Sequence, residues 1–316
     1  MDVLGDVLAA TAFKGVLLAQ LRARGSGWGC GLERLGTAGF HLIAEGTCWL
    51  RVAEQPPRQL VPGDVVLLPQ GEPHHLAGSP EQAAVPYAEL EAAHPVGRDG
   101  ILDLGGHGPV TRIVCGKFDY DHDASQHPVL SALPTVIHVP GMSADPELQG
   151  IIRLLALEST RERPGSRAVA SRLTDVLFVQ VIRAWLDTAD ADPHSAPQSW
   201  LTALRDPRIG AALALMHEAP QQPWTVESLA RDVAMSRPAF ARQFKQLVGV
   251  SPLAYLSRVR ITLAARLLRD TNRLVSDIGE AVGYTSEFTF SRAFARERGL
   301  PPGRYRREAI AQPAGT

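Results

Sequence analysis

One pattern is written twice in this chain, fifty residues apart. Ser236-Arg-Pro-Ala-Phe-Ala-Arg-Gln-Phe-Lys-Gln-Leu-Val-Gly249 aligns with Ser286-Glu-Phe-Thr-Phe-Ser-Arg-Ala-Phe-Ala-Arg-Glu-Arg-Gly299. Ser236 and Ser286, Phe240 and Phe290, Arg242 and Arg292, Phe244 and Phe294, and Gly249 and Gly299 coincide, and the match runs on through Pro252/Pro302 and Tyr255/Tyr305. A repeat of that period is one supersecondary unit used twice. Each copy predicts a helix with a serine to cap it, phenylalanines at i and i+4 to bury one face, and a glycine to stop it. The phenylalanines pin that face to a core and leave Arg242 or Arg292 on the other. An arginine on a rigid helix suits base readout, because its planar fork matches the two acceptors of guanine.

The residues ahead of each copy repeat as well. Thr225–Val233 reads as a short capped helix, followed by a tight turn at Ala234-Met235. Ser276–Val282 and then Gly283-Tyr284-Thr285 do the same before Ser286. A short helix, a turn and a second helix make a helix-turn-helix, whose second helix enters the major groove. Two such units at a fixed offset, both with basic outer faces, set these segments apart from ordinary helical hairpins.

The charge distribution points the same way. The net charge of −1 conceals a division. Residues 200–316 hold 17 Lys and Arg against 10 Asp and Glu, whereas residues 1–199 hold 15 against 23. A basic C-terminal third beside an acidic remainder is expected of a nucleic-acid-binding module joined to one that stays off nucleic acid. At 316 residues the chain is long enough for two domains. It has no apolar run of membrane length, and Met1-Asp-Val-Leu-Gly-Asp6 is acidic where a secretory signal would be basic. Three widely spaced cysteines do not form a disulfide scaffold. The reading is a reduced, cytoplasmic protein with no membrane partner.

Residues 207 to 307 resemble the DNA-binding domain of the AraC/XylS family of transcription regulators. The resemblance rests on Ile278-Gly-Glu-Ala-Val-Gly-Tyr284, Phe290-Ser-Arg-Ala-Phe294 and Gly299-Leu-Pro-Pro-Gly-Arg-Tyr-Arg306. It implies seven helices in two helix-turn-helix subdomains, joined here by a helix over Pro252 to Arg269. It implies DNA contacts at Ser236, Arg237, Pro238, Ala241, Arg242 and Lys245 in the first unit. In the second they fall at Ser286, Glu287, Phe288, Ser291, Arg292 and Arg296. Pro238, Ala241 and Phe288 have no side-chain donor, so their readout is apolar contact of the kind a thymine methyl offers.

The N-terminal part reads as strands first and helices after. Phe40–Ile43, Cys48–Val52, Asp64–Leu68 and Thr111–Cys115 are short apolar runs separated by Gly and Pro, the pattern of a sandwich or barrel. Gly63-Asp-Val-Val-Leu-Leu-Pro69-Gln-Gly71-Glu-Pro-His74 fits the second signature of the cupin superfamily. The first signature, with its paired histidines and glutamate, is absent, and only His41 lies in comparable territory. The segment looks like the cupin-type sensor of one AraC-family branch, which includes reactive-chlorine-responsive activators. Phe40-His41, Gly46-Thr-Cys-Trp49, Val114-Cys115-Gly116 and Leu133-Pro134 carry that likeness. Thiol sensing in those relatives pairs an early-strand cysteine with one at the Val-Cys-Gly position. Cys115 matches the second, whereas Cys30 and Cys48 sit in other contexts.

His41, Cys48, His74 and Cys115 are therefore the effector-pocket candidates, and all are residue types that zinc accepts. Strand cysteines and histidines are also common as buried structural residues. Structural role, thiol switch, metal site and small-molecule pocket stay open on sequence alone, and no cofactor is required. His75 should face away from His74 if both lie on one strand. Two helices are expected next, over Asp145–Glu158 and Ser166–Thr188, the second with a stripe of Leu173, Val176, Leu177, Gln180, Val181, Ala184 and Trp185. That stripe packs either on the barrel or on a second subunit.

The expected protein is of α+β class. It has a cupin-like sensor and dimerisation domain at 1–190, a linker at 191–206 that overlaps the polar, Pro-containing stretch Asp187–Ser199, and a double helix-turn-helix domain at 207–308. It is a sequence-specific transcription regulator whose partners are promoter DNA, RNA polymerase, a small-molecule or oxidant effector, and a second copy bound through residues 145–188. The alternative is a metal-dependent cupin enzyme with a DNA-binding tail. The missing first cupin signature speaks against it, as does the lack of a nucleophile–base or carboxylate-pair motif.

Overall fold

In a computed structural model of the chain, residues 3–10, 13–53, 55–97, 99–120, 129–142, 145–159, 163–191 and 200–311 are described. The elements follow in the order α1 (Val3–Ala10), β1 (Lys14–Arg24), β2 (Gly29–Leu32), β3 (Ala38–Glu45), β4 (Cys48–Val52), β5 (Arg58–Leu60), β6 (Val65–Leu68), β7 (His74–Ala77), β8 (Val85–Pro86), α2 (Tyr87–Ala93), β9 (Ile101–Asp103), β10 (Val110–Asp119) and β11 (Ile137–Val139). Helices complete the chain: α3 (Pro146–Glu158), α4 (Ser166–Ala191), α5 (Trp200–Ala203), α6 (Pro207–Glu218), α7 (Val226–Asp232), α8 (Arg237–Val248), α9 (Pro252–Asp270), α10 (Val275–Ala281), α11 (Glu287–Arg298) and α12 (Pro302–Ala311). They form two compact units, one of Phe13–Ala196 and one of Pro197–Thr316 together with Met1–Ala12.

The first unit is a two-sheet barrel with helices on one side. One sheet runs β11-β6-β3-β10-β1-β9 and the other β5-β4-β7-β2-β8. The alternation of each strand decides what lies between them. Leu21, Ile43, Leu50, Val66, Leu76 and Ile113 point inward and form one apolar core with Cys30 and Cys48. The opposite face of the six-stranded sheet is apolar as well, because α4 packs on β1 and β11. There Phe118 stacks against Phe13 at 4.9 Å between ring centroids and meets Phe178 of α4 at 4.9 Å. Ser171 donates to the Gly15 carbonyl and Asp175 accepts from the Gly15 N–H, so α4 also completes the hydrogen bonding of β1. Asp64, in the turn before β6, is held by Gly141 N–H at 2.9 Å, Val61 N–H at 3.1 Å and His138 Nε2 at 3.0 Å. Burial pulls its carboxyl up, but these three donors outweigh that and leave it below the usual carboxylate value.

The expected α4 stripe holds only in part. Leu177 and Val181 are buried, but the remaining buried positions described are Ser166, Ala170, Thr174, Phe178 and Ile182, and Val176 is 45% exposed. The helix axis is turned by one residue relative to the expected face, because Phe178 goes into the aromatic layer.

The second unit is all helical and repeats itself. Thr225 caps α7 in a capping box with Ser228. Ser236 caps α8 by accepting from Ala239 N–H, and Ser286 caps α11 by accepting from Thr289 N–H. Left-handed Gly249 and Gly299 close the two helices. Phe240, Phe244, Phe290 and Phe294 are fully buried. Around the second pair, Ile261, Ala264, Leu268, Ile278 and Val282 form a core between α9, α10 and α11.

The domain limits differ from those expected. Helix α4 continues through Ala191, and α5 falls within the stretch assigned to the linker. Trp200, Leu201 and Ala203 are buried, and α5 packs on α8, so residues 200–206 belong to the helical unit. The rest of the expected linker, 192–199, lies outside the described residues. Helix α1 also belongs to the helical unit, packing on α6 and α9 with Val3 and Val7 buried, although residues 1–12 were assigned to the sensor.

Candidate nucleic-acid interface and sensor site

On α8 and α11 the apolar and cationic faces oppose each other as the repeat requires. Arg242 and Lys245 are exposed on α8, and Arg292 and Arg296 on α11. The N-terminal turns carry the other expected contacts. Arg237 and Pro238 are exposed, Ala241 and Ser291 are half-buried, and Glu287 is exposed. Phe288 is 70% exposed, which is anomalous for a phenylalanine on a water-facing helix. The Arg292 guanidinium sits 5.6 Å from the centre of its ring, so the two side chains form a cation–π pair on the face opposite Phe290. Arg237 is paired with Glu227 of α7 at 2.9 Å. Both partners are well exposed, so that pairing is weak and a phosphate can replace it. Ser236 and Ser286 commit a lone pair to capping and keep their hydroxyl protons free to donate.

In the barrel, three of the four sensor candidates meet. His41 lies opposite Cys115 in the β3/β10 register, and its ring crosses the interior to His74 on the other sheet. His41 Nδ1 is 3.2 Å from Cys115 Sγ, and His41 Nε2 is 2.7 Å from His74 Nε2. His74 Nδ1 is 2.8 Å from the Glu72 carbonyl. A carbonyl only accepts, and this fixes every proton in the neutral chain. His74 donates through Nδ1 and accepts at Nε2. His41 donates through Nε2 and accepts at Nδ1, so the Cys115 thiol is the donor at the far end.

The electrostatics agree with neutral rings. Burial, reinforced by His74, holds His41 well below the usual imidazole value. Burial also lowers His74, against the opposing pull of the Glu72 carbonyl. Burial raises the Cys115 thiol, with Cys30 and Cys48 adding to the rise. It pushes the Cys30 and Cys48 thiols up to about 12. All three cysteines are free. Cys48 faces the apolar core with Leu50 and Val52, so it is near this chain but not in it. His75 points outward, as expected for the residue after His74.

The arrangement does not fit a resident metal. Both ring nitrogens of His41 and of His74 already face protein partners. Among the described residues no group of three or more His, Cys, Asp or Glu side chains is placed to hold an ion. Cys30, which the sequence reading sets aside for its context, shares the core against which Cys115 packs, and Tyr87 was not foreseen; burial pushes its hydroxyl up to about 12, with Glu91, Cys115 and Cys30 contributing. The only signal in the sequence was that Cys30 is flanked by Gly29 and Gly31, as befits a strand under close cover.

A cupin-like barrel joined to two outward-facing helix-turn-helix units defines a DNA-binding transcription regulator. A protein-family profile described as a cupin matches residues 2–187, and one described as a helix-turn-helix domain matches residues 229–308. The chain is 36% identical to an AraC-like transcription regulator of Streptomyces lividans, over 97% of this chain and 98% of that one. It is 33% identical to the HTH-type transcriptional regulator AlkR of Acinetobacter baylyi, over 85% and 87%. It is 31% identical to RclR of Escherichia coli K12, described as an RCS-specific HTH-type transcriptional activator, over 97% of each chain. The chain belongs to the AraC family of transcription regulators. These three relatives are transcription regulators, and the enzyme alternative finds no support among them. Among the described residues no helix is long and apolar enough to cross a membrane.

Proposed function

We propose that this protein is a signal-responsive activator that inserts α8 and α11 into successive major-groove segments of one promoter. The observation that carries the reading is the opposition, on each helix, of fully buried phenylalanines to an outward Arg242 or Arg292. Arg242 and Arg292 reach base edges, while Arg237, Lys245 and Arg296, with the capping Ser236 and Ser286, take phosphates. Pro238, Ala241 and Phe288 offer apolar contact to thymine methyls, Glu287 accepts from cytosine, and Ser291 serves either base partner. The signal enters at Cys115, His41 and His74, an oxidant or small molecule breaking the hydrogen-bonded chain and so favouring one of two states. Cys48 lines the same interior. The protein works in the cytoplasm beside RNA polymerase, as a homodimer through residues 145–188. Leu154 and Leu157 of α3 and Val169 and Val176 of α4 are exposed there and favour that use.

The test is selection of bound sequences from randomised duplex by the full-length protein. The expected product is a site with two recognised blocks about 10 base pairs apart on one face of the DNA. Binding that selects no sequence overturns the reading.

A further inference from the structure

Two helix-turn-helix units on one chain select a single spacing of their two DNA segments only if the distance between them is fixed. Both pack on α9, and one side chain of α9 touches both. Arg260 donates through Nε to the Pro220 carbonyl and through Nη2 to the Gln222 carbonyl, each at 2.7 Å. Pro220–Gln222 form the loop that leads into α7 of the first unit. The same guanidinium lies 5.7 Å from the ring centre of Tyr284, in the turn of the second unit. One turn back on α9, Ser257 is 3.2 Å from the Tyr284 hydroxyl.

Gly283 completes the arrangement. Its φ of +92° already favours glycine, and a Cβ there would lie 2.7 Å from the Gln221 carbonyl and 2.9 Å from the Arg260 guanidinium carbon. The turn of the second unit therefore rests on the loop of the first, with Arg260 between them. A lysine could not make this contact, because only a planar fork bonds two carbonyls in its plane while presenting a face to a ring.

We infer that Arg260, seated against Gly283 and Tyr284, is a positioning residue that sets the spacing of the two recognition helices and hence the spacing of the two DNA segments the protein accepts. The inference rests on the two-groove reading above. Arg260 is half-buried and bonded away from the recognition faces, so its effect on DNA passes through α8 and α11 rather than through a contact of its own.

The experiment uses full-length protein and the selected site, with its two blocks at native separation or with one base pair inserted or deleted between them. Each added base pair turns the second block by about a tenth of a helical turn. Wild-type protein should prefer the native separation strongly. Arg260→Met, which keeps the apolar stem, should lose about tenfold on the native site, roughly 1.4 kcal/mol, and much less on the altered sites, so that the preference collapses. Arg260→Lys should fall between the two, and affinity for random duplex should not change. Gly283→Ala supplies a second variant should Arg260→Met fold poorly, and it should relax spacing in the same way. Equal weakening on every separation, or an unchanged preference in both variants, overturns the inference. A wild-type protein that shows no spacing preference would instead sink the two-groove reading itself.

Discussion

His41 and Cys115 show how much a single register pair decides. A histidine beside a cysteine is ambiguous, but the Glu72 carbonyl at one end of the chain assigns every proton. Cys115 then faces a neutral imidazole rather than a cation, and its thiol is raised, not lowered. An oxidant should attack it only when His41 takes its proton, so Cys115→Ser and His41→Ala should each abolish an oxidant response while DNA affinity stays within about twofold of wild type. An intact reporter response in a Cys115/His41/His74 triple variant would remove the sensor from this place. On the DNA side, Arg242→Ala and Arg292→Ala should each cost about 1–3 kcal/mol on the selected site with relaxed preference at one base pair. Equal losses on random duplex would make them phosphate contacts. Replacing thymine by deoxyuridine opposite Phe288 should weaken wild type and leave Phe288→Ala indifferent. His217 provides a pH test. Burial lowers it from 6.5 to about 4 in the fold, beside the Tyr255 hydroxyl at 2.9 Å. Between those values the unfolded chain binds a proton that the native state refuses. Its stability contribution is thus complete above pH 6.5 and is lost as pH falls toward 4, by roughly 3 kcal/mol. Thermal melts should show that decline, and His217→Gln should flatten it.

The recognition helices were legible in the sequence because everything that makes them is local. Cap, buried i/i+4 phenylalanines and stop glycine lie within fourteen residues, and each appears in the structure where the repeat puts it. Phe240→Ala or Phe290→Ala should therefore unfold its own subdomain, at about 3–5 kcal/mol, rather than remove a contact. Calorimetry on the variants checks this, and undiminished stability with selective loss of DNA binding would mean the faces are reversed. The barrel strands were legible for the same reason, through alternation. What was not legible depends on distant partners. Thr174 is fully buried while Val176 is exposed, because α4 is oriented by Phe13 and Phe118, which no periodicity on α4 can reveal. Trp200 and Leu201 looked like the end of a linker because a four-residue helix has no period to read, yet α8 covers them. Arg260 carries no local signal that would single it out among the arginines of α9. Its two carbonyl partners lie some forty residues upstream.

For the molecule as a whole, the split charge sets the behaviour on DNA. Affinity should fall linearly in log salt by roughly 0.9 for each phosphate neutralised, and the acidic barrel should add nothing to that slope. A full-length titration between low and physiological salt measures it, and a flat line would deny the basic face any role. The position of α1 has a further consequence. The chain begins in the helical unit, leaves it to build the whole barrel, and returns to finish it. Topologically the barrel is an insertion between α1 and the other helices of that unit. A fragment that starts at residue 197 is consequently not a whole domain, since the seat of Val3 and Val7 on α6 and α9 is left bare. Shortening α1 should therefore unsettle the half of the protein that binds DNA, however far from it the numbering makes that helix look.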